Sequence, residues 1–471
     1  MLASVLIASI GGFFYGFDMG IINGVLAMPS AHERFLWAND AQKGFMVSSF
    51  VLGSTVSSLF SGHIADRIGR RWSIVLCSVV VIAGSLCQAL AMNIVVFCIG
   101  RVTGGLAVGV TATVVPIYIS EIAPKKIRGR LVVVMDIAMA SGIAVSYLLN
   151  YGTSHLPGEL SFRIPLGAQV LIAMPLLLCL PFFPSSPRWL LQRGRENEAR
   201  QALARLRGLA SDSPQVVSEI EELQRAINTE QGSRQARWND LFTNGMWRRL
   251  CIGVGIFSFR QLSGINAVTY YAPDILRRSG FENSTTQLLA TAVFGIIGVV
   301  AAITSIFLID RAGRRKLLII GALIMTGTMA ALGLIIALQK VYGVSELALS
   351  YGCLAMLYLH SFAFSLSWGP VPWITPSEIF PQHVRAKGAA VSTFANWVVH
   401  FALAQATPSL LASINWGLFV IFAGICLIMA LWTYRVVPET RGQSLEVTGK
   451  LGAADETIVS VQTAEIKASK S

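Results

Sequence analysis

The chain has 471 residues, of which 54% are hydrophobic and only 13% are charged, and its mean hydropathy is +0.61. Soluble domains usually have about a quarter of their residues charged. So few charges cannot cover a water-facing surface, so we expect much of the chain to lie in a lipid bilayer. The net charge of +12 does not indicate nucleic-acid binding, because the basic residues form short clusters between apolar segments rather than one basic domain.

Apolar stretches of membrane-spanning length recur along the chain with short polar breaks between them. Such stretches cross a bilayer as helices, because unpaired backbone amides are too costly in hydrocarbon. The first stretch is long enough to span, and we interpret it as a retained helix rather than a cleaved signal peptide. The pattern predicts an all-α membrane protein with twelve transmembrane helices, at 2–27, 43–65, 72–92, 95–120, 130–150, 163–183, 247–272, 286–310, 316–339, 347–371, 385–410 and 415–437.

Basic clusters follow the second, fourth and eighth of these spans, whereas the alternate loops carry few Lys or Arg residues. The positive-inside rule then predicts that both termini and the segment 188–246 are cytoplasmic. This segment is rich in Arg, Glu, Gln and Ala and predicts short amphipathic surface helices. We expect a plasma-membrane protein with a disordered cytoplasmic tail at 438–471.

Short motifs return in the same order in the two halves of the chain. The repeated pairs are Asp66–Arg71 with Asp310–Arg315, Ser120–Arg130 with Ser377–Lys387, and, more loosely, Pro184–Arg188 with Pro438–Arg441. Matches on the same membrane side indicate two parallel repeats related by an axis along the membrane normal. We therefore predict two six-helix bundles, at 1–187 and 247–437.

These motifs resemble those of the major facilitator superfamily, and specifically its sugar porter family, most of all the fungal members. The resemblance extends from Gly11 to Gly442. The residues that carry it are Phe17-Asp18 with Gly20 and Gly24, Gly62–Arg71, Gly100-Arg101, Glu121–Gly129, Pro184–Leu191, Gln261–Pro273, Asp310–Arg315, Gly369–Glu378, Asn396-Trp397 and Pro438–Gly442. The resemblance implies the major facilitator fold and transport of a monosaccharide or polyol by alternating access.

Charged residues at the predicted cytoplasmic helix ends fit this resemblance. In the family such residues form ion-pair networks that close the cytoplasmic side, although single arginines can also serve only as interfacial anchors. Ser185 stands where the family usually has a glutamate, so we expect the first-half network to lack one acid. Tyr270 and Tyr271 resemble an extracellular gate on the seventh helix, which we expect Pro273 to end. The predicted cytoplasmic gating residues are Asp66, Arg70, Arg71, Glu121, Arg128, Asp310, Arg314, Arg315, Glu378, Arg385, Glu439 and Arg441.

A sugar site needs amides that pair with vicinal hydroxyls and aromatic faces that cover C–H patches. Such groups should converge near the midplane, between the two halves. The alternative role of intramembrane amides is hydrogen bonding between helices. The candidate substrate-binding residues of these types are Gln261, Asn266, Trp373, Asn396 and Trp397.

Three positions depart from the family pattern. Asp136 and Arg260 stand where the family usually has glutamines, and Gly298 stands where it has an asparagine. Because opposite charges are tolerated at the midplane better than a lone charge, we hypothesise that Asp136 and Arg260 pair in at least one state. Alternatively, Arg260 binds a carboxylate by its bidentate fork, which favours a sugar acid or a quinate-like ligand.

Asp18 is a functional candidate because it lies inside the first span. Arg101 opens the fourth span, and in the resembling proton-coupled porters this acid and this arginine pair. Protonation of Asp18 would then release Arg101 and favour sugar binding. The alternative is a fixed structural pair in a facilitator.

A proton-coupled symporter of a monosaccharide or polyol is the leading hypothesis. The alternatives are a porter of an organic acid and a non-transporting sugar sensor with the same fold. The sequence has no nucleophile–base constellation and no metal-ligand spacing, so we expect neither an enzyme nor a metal or other cofactor. We expect a monomer whose partners are the sugar, the proton and the bilayer.

Overall fold

The computed structural model describes residues 2–124, 128–232, 238–242, 246–281, 283–342, 347–380 and 384–439, and these residues contain helices but no strand. Five predicted gating positions lie outside what is described. Arg441 is beyond residue 439, and the side chains of Arg128, Asp310, Glu378 and Arg385 are not described.

Among the described residues, eight helices form the first half, three follow in the linker, and eight form the second half. The first half has α1 (Leu2–Ala27), α2 (Pro29–Phe35), α3 (Asp40–Ser58), α4 (Ser61–Ile68), α5 (Arg70–Ala89), α6 (Ile94–Ile122), α7 (Arg128–Thr153) and α8 (Leu160–Cys179). The linker has α9 (Pro187–Gln192), α10 (Glu196–Arg207) and α11 (Pro214–Gly232). The second half has α12 (Met246–Leu262), α13 (Ile265–Arg278), α14 (Ser284–Ala312), α15 (Arg314–Tyr342), α16 (Leu347–Leu366), α17 (Val371–Ile379), α18 (Arg385–Ser413) and α19 (Trp416–Val436). Short 3₁₀ turns lie at Leu180–Phe182 and Trp238–Phe242.

Each predicted span corresponds to one helix or to a broken pair of helices. Among the described residues, nine helices are long and apolar enough to cross a bilayer, and the pair α3–α4, bent by 56°, makes a tenth. The spans predicted at 247–272 and 385–410 correspond to α12–α13 and α18, which are not among these ten. Helices α12 and α13 have 17 and 14 residues, so each is shorter than the span lengths found elsewhere. These helices and α18 carry the amides Gln261, Asn266 and Asn396.

The prediction that Pro273 ends the seventh span is wrong. Helix α13 continues through Pro273 to Arg278, with a non-helical backbone at Tyr271 (φ −122°, ψ 20°). Proline lacks an N–H and its ring crowds the carbonyl four residues earlier, so here it kinks the helix rather than ending it. The junction between α12 and α13 is Gly264, whose φ of +87° is open to glycine without strain.

Glycines bring α1 and α7 into backbone contact in the first half. A Cβ at Gly16 would lie 1.9 Å from the carbonyl oxygen of Met139, and one at Gly142 would lie 2.1 Å from that of Phe13. Only a hydrogen in place of a side chain permits this approach, as is common where membrane helices pack closely. The contact fixes the position of α7, which carries Asp136, against α1, which carries Asp18.

The linker segment forms the three helices α9, α10 and α11, and these helices mark one end of the molecule. They enclose a small core of their own, which includes Trp189, Leu203 and Ile220. The Trp189 indole N–H donates to the Asp66 carbonyl at 2.9 Å, and the Arg207 guanidinium donates to the Ile122 carbonyl at 3.0 Å. We call this end, where α4 and α6 finish, the linker end, and the opposite end, where α3 and α6 begin, the far end.

Candidate functional site

The predicted amides are joined in one chain of hydrogen bonds. The Asn266 amide on α13 donates to Gln261 Oε1 on α12, and Gln261 Nε2 donates to Asn396 Oδ1 on α18 at 2.7 Å. All three side chains are buried. In this conformation they therefore link three helices of the second half. The same donors and acceptors can be exchanged for sugar hydroxyls, because each amide both donates and accepts.

Aromatic rings cover this amide chain on the side of the first half. Trp397 is fully buried, and its ring lies 5.5 Å from that of Tyr15 on α1 and 5.9 Å from that of His400. His400 Nε2 lies 3.1 Å from the Tyr270 hydroxyl. Tyr15 and His400 were not predicted from the sequence. The sequence hints at their place in the site only through their spacing. His400 lies one helical turn after Asn396, and Tyr15 lies about one turn before Asp18.

Arg260 is held by aromatic faces rather than by an acid. Its guanidinium lies 5.4 Å from the ring centroid of Phe364 and 5.6 Å from that of Trp373, within the range of cation–π attraction. The side chain is 4% exposed, and its Nε has no hydrogen-bond partner among the described residues. Trp373, predicted to bind substrate, packs edge-on against Phe257 at 5.1 Å. In this conformation, Trp373 holds the Arg260 side chain in place.

Asp136 borders a cavity between the halves. The cavity lies between α7 of the first half and α13, α14 and α16 of the second, and its volume of about 70 Å³ is enough for a few waters. Within the described residues, no hydrogen bond or ion pair joins Asp136 to another side chain. The predicted pair of Asp136 with Arg260 is therefore not formed in this conformation and stays a prediction for another. The polar lining comprises Asp136, Thr269, Ser305, Ser361 and Ser365.

Gly298 shapes this cavity through its missing side chain. A Cβ at Gly298 would lie 3.7 Å from the hydroxyl oxygens of Ser361 and Ser365, in ordinary contact distance. With glycine at this position, the space in front of the two hydroxyl groups is open. Ile265 and Thr269 also line the cavity, and they flank Asn266 along α13. The cavity and the amide chain are thus adjacent, on neighbouring faces of one helix.

Asp18 and Arg101 form a fully buried ion pair, in which one guanidinium nitrogen contacts both carboxylate oxygens. Arg101 Nη1 lies 2.9 Å from Asp18 Oδ1 and 3.0 Å from Oδ2, and both side chains are 0% exposed. Arg101 also donates to the carbonyls of Met46 at 3.2 Å and Val47 at 3.4 Å, and lies over the Phe50 ring. Every charge here has a partner, as burial requires. Neutralising Asp18 would leave the cation with only the carbonyls of α3.

The far end is closed by contacts between the halves that centre on one carbonyl. The Thr269 carbonyl accepts from Asn23 Nδ2 at 2.6 Å and from the Tyr147 hydroxyl at 2.8 Å. Within a regular helix this carbonyl would bond the N–H four residues later, but that residue is Pro273, which has none. Pro273 therefore leaves the Thr269 carbonyl on α13 available to accept hydrogen bonds from the first half.

Further contacts on α3 close the same end. Lys43 pairs with Asp274, Ser48 donates to Gln405 Oε1 at 2.7 Å, and Gln405 Nε2 donates to the Ala41 carbonyl at 3.0 Å. The predicted gate residues Tyr270 and Tyr271 are buried just inside this closure. The cavity beside Asp136 lies on the linker side of it.

At the linker end the described gating residues make contacts within their own halves. Arg70 lies 3.0 Å from Asp66 and 3.2 Å from Glu121. Arg71 donates to the carbonyls of Pro181 at 3.2 Å and Phe183 at 2.6 Å. These residues tie α4, α5 and α6 together.

The corresponding turn of the second half uses an acid from the end of α19. The Glu439 carboxylate accepts from the backbone N–H groups of Arg314 at 3.0 Å and Arg315 at 3.2 Å, and so caps α15. The Arg315 guanidinium donates to the Tyr434 carbonyl. Glu439 therefore joins the second-half network as a helix cap.

The sequence matches the protein-family model described as "Sugar (and other) transporter" over residues 4–450. The chain belongs to this family. This porter is 30% identical to the high-affinity glucose transporter 1 of Candida albicans, over 94% of its own length and 84% of that protein's. It is 32% identical to the galactose-proton symporter of Escherichia coli, over 93% and 92% of the two chains.

The porter also shares its fold with a solved structure. It superposes on the proton:xylose symporter XylE bound to 6-bromo-6-deoxy-D-glucose with a TM-score of 0.80 and 27% identity, over 96% of this chain and 98% of that one. Two halves and twelve helices make up that fold, so the predicted fold class and family are confirmed. The porter is a transporter and not an enzyme.

Proposed function

We propose that the porter carries a monosaccharide together with a proton across the plasma membrane by alternating access. The relatives named for glucose, galactose–proton and proton:xylose transport support this assignment of solute and coupling ion. The observation that carries it is the buried pair of Asp18 and Arg101, because ionisable residues inside membrane helices are costly and, where they occur, often belong to an ion or proton pathway.

The proposed organisation follows the sequence repeats. Residues 1–187 and 247–437 are the two moving bundles, 188–246 is the linker and 438–471 is the tail. The linker end is cytoplasmic in this proposal, since it carries the basic clusters, and the far end is extracellular. The conformation described is then the one in which the extracellular end is closed. The sugar binds between Gln261, Asn266, Asn396 and the cavity beside Asp136.

Arg101 offers a physical route from protonation to movement. It holds Asp18 on α1 and the carbonyls of Met46 and Val47 on α3. The same helix α3 carries Lys43, which pairs across the far end. When a proton neutralises Asp18, the guanidinium keeps only its contacts to α3, so the position of α3 against α1 changes. The proton is thereby coupled to the closure of the extracellular end.

Uptake of radiolabelled glucose and xylose in a transporter-null yeast tests this proposal. We expect accumulation above the external concentration, which an uncoupler abolishes. Asp18→Asn should lose accumulation driven by the proton gradient, because the site can no longer exchange a proton, while sugar-for-sugar exchange across proteoliposomes remains measurable. Uptake that is indifferent to external pH and to the uncoupler would show that the pair is only structural.

A further inference from the structure

Two opposite charges near the cavity influence each other electrostatically but form no ion pair among the described residues. Asp136 on α7 borders the cavity with no described hydrogen bond, and the described contacts of the Arg260 guanidinium on α12 are with aromatic faces. A charge inside a bilayer costs several kcal/mol unless it is paired or reached by water. A substrate that enters this site is therefore expected to compensate at least one of the two.

The positions of the two side chains decide which charge the substrate meets. Phe364 lines the cavity and its ring contacts the Arg260 guanidinium, whereas Arg260 itself is not among the residues that line the cavity. Trp373 provides a second aromatic contact for the guanidinium. Cation–π contacts of this kind partly replace the lost hydration of Arg260. Asp136 makes no such contact with a described aromatic ring; it is only partly buried, and it is the charged side chain among the described residues that line the cavity.

The groups around Asp136 match the hydrogen-bonding pattern of an ammonium group. An ammonium has three N–H donors and no acceptor. The carboxylate of Asp136 and the hydroxyl groups of Ser361 and Ser365 line the same cavity and can accept one bond each. The absent side chain at Gly298 leaves the space in front of the two hydroxyl groups open. A neutral sugar hydroxyl in this place would bring no positive charge to the carboxylate, so its hydrogen bond would be weaker than that of an ammonium group.

We propose that the preferred substrate of the porter is an amino sugar, whose protonated amine binds Asp136 between Ser361 and Ser365. This inference rests on the proposed sugar transport and narrows its substrate class. Asp136 acts in it as a specificity-determining residue. It sets the chain apart from a porter with a neutral amide at this position, which has no charge to offer an amine.

Competition between three probes tests the inference. Uptake of labelled D-glucosamine and labelled D-glucose is measured in proteoliposomes, at a pH that protonates the amine, with unlabelled glucosamine, glucose or glucuronate as competitor. Glucosamine and glucose differ only by the amine at one carbon. We expect glucosamine to inhibit at a concentration about tenfold below that of glucose, because a charge-assisted hydrogen bond replaces a neutral one.

Three substitutions assign the preference to the cavity. Asp136→Asn should reduce the ratio of glucosamine to glucose affinity about tenfold or more, and the conservative Asp136→Glu should retain part of it. Arg260→Gln should raise the ratio, since it removes a nearby like charge. If Asp136→Asn does not fold, the wild-type ratio and Asp136→Glu still decide.

The possible outcomes distinguish a failure of the amino-sugar proposal from a failure of the proposed sugar transport. Equal affinity for glucosamine and glucose, with both transported, overturns the amino-sugar assignment and leaves sugar transport standing. A preference for glucuronate that Arg260→Gln abolishes also overturns it, in favour of an anionic sugar held by the arginine. If none of the three probes is transported or competes, sugar transport itself fails.

Discussion

The Tyr147 hydroxyl offers a single-atom test of how the far end closes. It donates to the Thr269 carbonyl at 2.8 Å, and both Tyr147 and Thr269 are buried. Tyr147→Phe removes only the hydroxyl and keeps the ring. A typical intramolecular hydrogen bond contributes about 1 kcal/mol net, so we expect the equilibrium to shift about fivefold away from far-end closure.

The Thr269 carbonyl predicts a non-additive double substitution. With Tyr147→Phe alone, Asn23 still donates to the oxygen at 2.6 Å. With Asn23→Ala as well, the buried carbonyl has no donor in the closed state, because Pro273 cannot supply an N–H. A buried acceptor without any donor costs about 1–3 kcal/mol. This is more than the cost of losing one donor while the other still bonds the carbonyl. The double variant should therefore open further than the sum of the single variants.

Spin labels on the far end measure this equilibrium. Exposed positions Glu33 in the first half and Ser284 in the second are suitable, after the exposed native thiols at Cys179 and Cys251 are replaced. Pulsed electron paramagnetic resonance of the porter in nanodiscs then gives the populations of short and long distances between the two labels. Tyr151→Phe is the matched control, because Tyr151 lies one turn further along α7 and its hydroxyl bonds no described residue.

The reasoning fails if Tyr147→Phe has the same distance distribution as the unmodified porter. It also fails if Tyr151→Phe opens the far end equally, since the effect would then come from the loss of any tyrosine hydroxyl on α7. A strictly additive double variant would show that the Thr269 carbonyl finds another donor.

Three further predictions concern packing and charge. Gly142→Ala should lower thermal stability by several degrees or prevent folding, because its Cβ would lie 2.1 Å from a backbone oxygen of α1, whereas Gly152→Ala on the same helix meets nothing within 4 Å and should be tolerated. Lys43→Gln should shift the equilibrium away from far-end closure by no more than about 1 kcal/mol, since the pair with Asp274 is partly exposed. High salt should have the same effect in the same distance measurement. Glu439→Gln should lower the free energy of unfolding of the porter by about 0.5 kcal/mol, because a neutral amide caps the positive end of α15 more weakly than a carboxylate.

The spans were predictable because their cause, a run of apolar residues, is local in the sequence. The break at Gly264 was not predicted, since 247–272 was expected to form one span. Asp18 and Arg101 are charges inside apolar helices, and the resemblance to proton-coupled porters implied the pair that the structure shows. The amides Gln261 and Asn266 were likewise identified by type, although the sequence did not predict that they bond each other.

The partners across the interface were not predictable in the same way. Charge alone favoured Asp136 as the partner of Arg260, but in this conformation Phe364 and Trp373 hold the arginine by attraction to their rings, a contact with no sequence periodicity. Tyr15 has the appearance of an ordinary core aromatic residue in an apolar helix. Such contacts depend on how the halves are placed in one state, and a sequence encodes all states at once.

Helix α13 connects the candidate site to the closure of the far end. It begins after Gly264 and kinks at Tyr271, so a segment of less than two turns is bounded by two flexible points. Asn266, which belongs to the amide chain, and Thr269, whose carbonyl the first half binds, are three residues apart on this segment. In the proposed site, a sugar that binds Asn266 would move the Thr269 carbonyl with it, because both belong to the same short segment. We therefore expect binding at the proposed site and closure of the far end to be coupled through this one helix.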